Sequence, residues 1–394
     1  MWKRFHRTLR CPVCVNQLEL TVFQCSARQL QDDHLTAARE KGLLNSEFNQ
    51  YVDEGVLLCD ECRLWFPISS GLPILLTYKT RLHDRFLADF SEQLSRLELR
   101  RFNLPHGEPV TGEQFVLESF SKEWVEYKYD GVLWEANYQD LEQRFLREMN
   151  PSAQEQINLN FLEVGCGLGI TTYLAQKNYC VDAVGVDLSH SVLQASKHYK
   201  ENPFLHFVQA SVFHLPFEKI SFASVYSRGV LHHTFSTYEA FKSLSSYCRP
   251  GGCLYLWVYG KRSIDDNHFR VAAYSLESVL RPILSERPDS TYSKVLLALM
   301  ALGYLGLNKL RRIQDPRVQT YDFGRAVHAA RDRFTPKYAH RHESTEISEW
   351  FKELGFTDVE IVDWKVMPTV EQDDYRRNIG VRGRRLQNAA AEQA

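Results

Sequence analysis

The segment Phe161-Leu162-Glu163-Val164-Gly165-Cys166-Gly167-Leu168-Gly169 is followed, about a dozen residues on, by Val181-Asp182-Ala183-Val184-Gly185-Val186-Asp187. Each is a short apolar run that ends at a glycine-rich or charged tip, and 170–177 between them reads as helix. The pair predicts a βαβ unit, with three glycines at its first turn and a carboxylate at the end of its second strand. Glycines there let a ligand approach the backbone closely, and the helix start offers unpaired N–H groups. An acid about 20 residues further on suits ribose hydroxyls. These features point to a pocket for an adenosine-containing cofactor.

The detail narrows the cofactor. Dinucleotide sites use G-x-G-x-x-G, whose helix N-terminus faces a pyrophosphate. Here Glu163 precedes Gly165, Gly167 and Gly169, and an acid at that place favours a ligand carrying positive charge. The stretch resembles motif I of the class I S-adenosylmethionine-dependent methyltransferases, with Asp187 matching the ribose-binding acid. Three further blocks follow in the order of that family. Phe207–213 with His214-Leu215-Pro216-Phe217 is similar to its third-strand segment, and Phe222-Ala223-Ser224-Val225-Tyr226-Ser227-Arg228-Gly229-Val230-Leu231-His232-His233 to its fourth strand and tip. Arg249-Pro250-Gly251-Gly252 resembles the turn into the fifth strand. The resemblance implies a Rossmann-like, seven-stranded α/β fold. It also implies a cofactor-binding set of Glu163, Gly165, Gly167, Gly169, Asp187, Ser211, Val212 and Ser227. The family commonly has Asp where Ser211 stands, contacting the adenine amine; a serine oxygen can still accept that bond.

The chain has 394 residues and a formal net charge of −2, so charge gives no global drive toward nucleic acid. Nine cysteines, an odd number, argue for a reducing, cytoplasmic setting in which clustered pairs hold metal. The basic start lacks the apolar core of a signal peptide. Cys11-Pro12-Val13-Cys14 and Cys59-Asp60-Glu61-Cys62 are two C-x-x-C knuckles, and four thiolates from two such turns make a closed, structural zinc site. Strands at 18–23 and 55–58 flank them, with a helical insertion over 30–54, and Cys25 reads as core. This segment resembles the small zinc-ribbon proteins that partner tRNA and release-factor methyltransferases.

The expected organisation is a zinc ribbon over 1–78, then linker and lid helices over 79–150. The methyltransferase core spans 151–259, a helical cap insertion 260–343, the rest of the core 344–385 and a tail 386–394. In the lid, Tyr127 and Tyr129 are the aromatic candidates for lining the pocket. The apolar run 295–307 falls short of the roughly 20 residues that span a bilayer. It reads as a buried cap helix, with peripheral membrane contact as the alternative because Lys294, Lys309, Arg311 and Arg312 flank it. The run from Ser344-Thr345-Glu346 to Gly355-Phe356 reads as a capping box leading into a helix that ends at glycine.

Methyl transfer from a sulfonium needs positioning more than a nucleophile. His232 and His233, at the fourth-strand tip, are the candidate catalytic residues should the acceptor need a base. His340, Arg341 and His342, with Arg331, Arg333 and Lys337, form a second polar cluster that reads as a solvated face or an anion site. The fourth-strand tip lacks the Asn/Asp-Pro-Pro-Tyr of exocyclic-amine methyltransferases. Near-neutral charge and the apolar insertion favour a small-molecule, glycan or lipid-like acceptor, with O-methylation among the outcomes. An RNA base methyltransferase and a non-catalytic cofactor-binding adapter remain open, and a nicotinamide enzyme is the more distant alternative.

Overall fold

The computed structural model describes residues 1–96, 101–126, 132–133, 136–150, 160–179, 182–261, 268–314, 316 and 318–387. Tyr127, Tyr129 and the tail from 388 lie outside them. The first unit is a four-stranded antiparallel sheet, in the order β1 (Glu19–Ala27), β2 (Gln50–Cys59), β3 (Leu64–Ser69), β4 (Leu72–Pro73). Ser70 and Gly71 join β3 to β4 with φ of +50° and +76°, the two left-handed residues a tight hairpin requires. Helix α1 (Asp32–Glu40) is shorter than the expected insertion. Residues 50–54 join β2 instead, because Tyr51 and Val52 bury their side chains as strand residues do. Cys25 is exposed on the outer strand β1 and is not core.

Helices α2 (Arg81–Asp89), α3 (Ser91–Arg96) and α4 (Glu113–Glu126) lead to a small β5 (Val132–Leu133) and β6 (Ala136–Asn137) hairpin and to α5 (Tyr138–Met149). The central sheet comprises β7 (Asn160–Val164), β8 (Asp182–Asp187), β9 (Leu205–Gln209), β10 (Phe222–Arg228), β11 (Cys248–Tyr259), β12 (Phe356–Ile361) and β13 (Asn378–Arg385). Their spatial order is β12-β13-β11-β10-β7-β8-β9, and β13 alone runs antiparallel to its neighbours. Strands buried on both faces read as near-continuous apolar runs, as a covered parallel sheet demands. Its order reverses at β7, so a crevice opens beyond the strand ends there.

Helices α6 (Ile170–Tyr179), α7 (Ser191–His198) and α8 (Thr237–Ser245) make the crossovers. Between β11 and β12 come α9 (His268–Glu286), α10 (Thr291–Gln314), α11 (Phe323–Phe334) and α12 (Ser344–Glu353), and α13 (Thr369–Arg377) precedes β13. In α12 the reciprocal cap pairs Glu343 with Glu346, so the capping box begins one residue before the run that opens at Ser344. Helix α10 is not the buried rod expected of its apolar run. Leu297 and Ala301 are covered, whereas Val295, Leu299, Leu302 and Leu307 are exposed. By length and composition alone α10 could cross a membrane, with 22% of its apolar window buried.

The ribbon is not a separate bead. Its residues Leu57, Phe66 and Leu75 share one apolar cluster with Val186, Val208 and Leu215 of the sheet region. The Leu75 N–H donates to Gln209 O at 2.8 Å, so the chain leaving β4 runs parallel beside β9. The Trp2 indole donates to Asn202 O, Phe5 stacks on His206 at 4.2 Å, and Arg4 pairs with Asp182.

Candidate active site and metal centre

The turn after β7 is built by its glycines. Gly165, Gly167 and Gly169 have φ of +83°, +52° and +77°, a region costly for other residues. A Cβ on Gly165 would sit 2.0 Å from Val230 Cγ2, and one on Gly169 2.6 Å from Phe207. One on Gly167 would meet nothing within 4 Å, so the space above that residue is open to a ligand. Asp187, at the end of β8, accepts from Gly167 N at 2.8 Å and from Ser189 N and Oγ at 2.7 Å. Burial raises its pKa against those donors.

Two cavities meet at this turn. The first, about 150 Å³, is lined by Asp187, Leu188, Ala210, Val212, Phe213, Phe120, His233 and Glu113. The second, about 410 Å³, is lined by Glu163, Cys166, Trp257, Tyr259, Tyr274, Tyr304, Arg228, Arg333 and Arg341. Gly165, Gly167, Arg228, Gly229 and Asp332 border both. Asp187, the open glycine turn and the narrow, mostly apolar first cavity fit the nucleoside half of S-adenosylmethionine.

Each expected residue has a definite place. Glu163 is buried and accepts from the Thr172 hydroxyl; burial lifts its carboxyl to about 8 against that bond. Val212 borders the first cavity. Ser211 is buried with its Oγ accepting from Phe213 N at 3.1 Å. Ser227 is buried and donates to Val164 O at 2.9 Å. His233 faces the first cavity, with Nδ1 2.7 Å from Tyr338 O. Burial lowers its pKa to about 3, and that of His232 well below the ordinary imidazole value. Both rings are therefore neutral at physiological pH and hold a proton poorly. His232 packs against Tyr259 at 3.9 Å between ring centroids.

The second polar cluster is neither a solvated face nor a free anion site. Arg333 and Arg341 converge on Glu277 at 2.7 and 2.9 Å, and Arg331 pairs with Asp289. Burial alone would raise Glu277, but Arg333, Arg341 and Arg281 hold it at about 2. Two lining acids had no sequence signal. Glu113 lies in the turn that starts α4, and Asp332 lies on α11 inside the insertion. Only the folded chain brings either to the crevice.

The four knuckle cysteines come together. The Sγ atoms of Cys11, Cys14, Cys59 and Cys62 all lie within 4.8 Å of one another, with Cys14 to Cys59 at 3.5 Å and Cys11 to Cys62 at 3.9 Å. Four thiolates around tetrahedral zinc would be about 3.8 Å apart, so the set fits a structural ion. Val15 and Arg63, each just after a knuckle, take left-handed conformations with φ of +64° and +52° that turn the chain back.

Fold, crevice and cysteine set together describe a Rossmann-like α/β domain whose crevice fits S-adenosylmethionine, joined to a four-cysteine ribbon that fits zinc. Comparison with known proteins agrees. Residues 162–256 match the family described as a methyltransferase domain, and residues 3–71 match the Trm112p-like protein family.

A tRNA U34 carboxymethyltransferase of Pseudoalteromonas atlantica is 36% identical over 111 residues, which is 27% of this chain and 34% of that protein. One from Pseudoalteromonas translucida is 35% identical over 98 residues, 24% of this chain and 30% of that protein. The chain thus spans about a third of the length of these curated relatives. Among solved structures, a complex of the Haloferax volcanii Trm112 methyltransferase activator with a putative methyltransferase is similar at TM-score 0.35 and 14% identity, covering 64% of this chain and 94% of that one. A Haemonchus contortus phosphoethanolamine N-methyltransferase is similar at TM-score 0.41 and 15% identity, covering 71% and 61%.

The curated matches overturn the small-molecule, glycan or lipid-like acceptor expected from the sequence, because both relatives are named as tRNA enzymes. The expectation failed for a physical reason. Net charge averages over the whole chain, and the apolar insertion that suggested an oily acceptor leaves Val295, Leu299, Leu302 and Leu307 exposed, none of which lines either cavity.

Proposed function

We propose that this chain is an RNA methyltransferase that modifies a tRNA base in the cytoplasm. The observation that carries the reading is the 36% and 35% identity of stretches of 111 and 98 residues to two enzymes named for a tRNA modification. The cofactor would supply an electrophilic methyl group on a sulfonium. Gly165, Gly167 and Asp187 would hold its nucleoside, with Val212 beside it; Glu163 borders only the larger cleft, and Gly169 shapes the turn without lining either cavity. The larger cleft, about 410 Å³, is roomy enough for a nucleotide turned out of its stack. Trp257, Tyr259, Tyr274 and Tyr304 line it, with Arg228 lying over Trp257 and Arg341 over Tyr259 and Tyr274, and planar guanidinium groups stack on bases as rings do. Its guanidinium groups are paired with acids, which makes the cleft polar without making it strongly cationic.

The neutral histidines suit positioning better than proton abstraction. A carbonyl beside His233 Nδ1 sets that nitrogen as donor and leaves Nε2 to accept from an acceptor group. Asp332 borders both cavities and its pKa is raised by burial, so it is the better-placed proton acceptor.

Labelled S-adenosylmethionine incubated with total tRNA, other RNA and small-molecule fractions of cell extract tests the proposal. Label should enter tRNA nucleosides, be released by nuclease digestion and disappear with Asp187→Ala. Label confined to small molecules or lipid would refute it.

A further inference from the structure

Adenosine presents one exocyclic hydrogen-bond donor, the 6-amino group. In a narrow apolar cavity that amine needs an acceptor, or its burial costs on the order of 1–3 kcal/mol. Asp187 lies at the end of β8, and the segment 210–213 follows the neighbouring strand β9. A ligand whose ribose meets Asp187 therefore carries its base toward 210–213. At that end the sequence offers only the neutral Ser211, whose Oγ already accepts from Phe213 N.

An acid reaches the same place from elsewhere in the chain. Glu113 lines the first cavity and is 6% exposed. Its Oε2 accepts from Val110 N at 3.1 Å; burial raises its pKa, and the Ser211 hydroxyl and the Val110 N–H oppose that rise. No cation among the described residues is paired with it. A carboxylate accepts about four hydrogen bonds, so two contacts leave capacity for an amine. Closing the turn at Val110 needs no burial, since Gln or Ser on an exposed turn would do the same. Placement against Val212 and Phe213 is what that role leaves unexplained.

We propose that Glu113, brought in by the lid helix, accepts the hydrogen bond of the cofactor's adenine amine in place of the acid that position 211 lacks. The inference rests on the S-adenosylmethionine reading of the site, and makes the lid helix part of cofactor selection. A cofactor whose purine lacks the 6-amino group would be discriminated against by a residue nearly 100 positions away from the β9 tip in sequence.

Calorimetric titration of the full-length, zinc-loaded protein tests this, with S-adenosylhomocysteine and the analogue lacking only the 6-amino group as probes. The wild type should bind the analogue about tenfold more weakly. Glu113→Ala should lose about tenfold for S-adenosylhomocysteine and leave the analogue nearly unchanged, so that discrimination vanishes. Adding Ser211→Asp to that variant should restore it. A merely structural Glu113 would weaken both probes equally or neither, and either result overturns the inference. If Glu113→Ala does not fold, equal affinity of the wild type for the two probes overturns it just as well. Binding of neither probe by the wild type would instead remove the cofactor reading itself.

Discussion

Glu163 shows how a single buried acid sets a pH dependence. Burial lifts its carboxyl from an ordinary 4.5 to about 8, with Thr172 and Thr171 opposing the shift. In the unfolded chain the group ionises near 4.5, so between pH 4.5 and 8 the folded protein binds more protons than the unfolded one. Stability from this residue therefore falls as pH rises through that window. At 4% exposure, solvent screens little of the effect, which amounts to about 3 kcal/mol between pH 5 and 8. Glu163→Gln keeps an acceptor for the Thr172 hydroxyl and cannot ionise. Urea unfolding should show the wild type losing about 3 kcal/mol more than this variant from pH 5 to pH 8. Parallel pH profiles for the two proteins would contradict the assignment. The motif located Glu163 correctly on the strand before the glycines. It could not show that the side chain turns onto α6, because the Thr172 contact depends on how a helix packs over its own strand.

At the scale of elements, helix α5 ties the sheet to α13 through a buried polar knot. Glu148 is fully buried and accepts from the hydroxyls of Tyr226 at 2.7 Å, Tyr255 at 2.9 Å and also Tyr375. Arg144 on the same helix pairs with Glu371 at 2.9 Å, and Arg228 reaches Glu371 and Asp374. Removing one member leaves charges and hydroxyls stranded in a low-dielectric interior. Glu148→Ala should cost about 3–5 kcal/mol in chemical denaturation, whereas Glu148→Gln keeps an acceptor and should cost clearly less. Equal losses in the two variants would show that packing volume, not the polar knot, carries the effect. None of these partners was visible in the sequence, since a lone Glu on an amphipathic helix reads as surface. The sheet strands were legible because their apolar runs are uninterrupted and their glycine-rich ends punctuate them. The insertion was not: α10 is apolar nearly all round, and such a pattern cannot say that only the side carrying Leu297 and Ala301 would find a neighbour.

Across the whole molecule, the ribbon and the cofactor crevice form one mechanical path. The cysteine cluster anchors β2 and the turn into β3, and the chain leaving β4 pairs with the edge of the main sheet through Leu75 N and Gln209 O. Two residues of that stretch, Leu76 and Tyr78, pack with Leu117 of α4 and with Leu188, which borders the smaller cavity. Metal binding supplies folding free energy to small cysteine-clasped units, on the order of 10 kcal/mol for zinc-finger peptides. Without zinc the ribbon should loosen, and helix α4, which carries Glu113, should lose the surface it leans on. Chelator-stripped protein is therefore expected to bind S-adenosylhomocysteine at least about tenfold more weakly, with recovery on adding zinc. Leu75→Pro separates the path from general unfolding: it deletes the N–H that meets Gln209 O while leaving all four cysteines in place. That variant should keep one zinc per chain by metal analysis and still lose cofactor affinity. Full affinity in Leu75→Pro, or in the stripped protein, would mean that the ribbon and the crevice work independently despite their shared core.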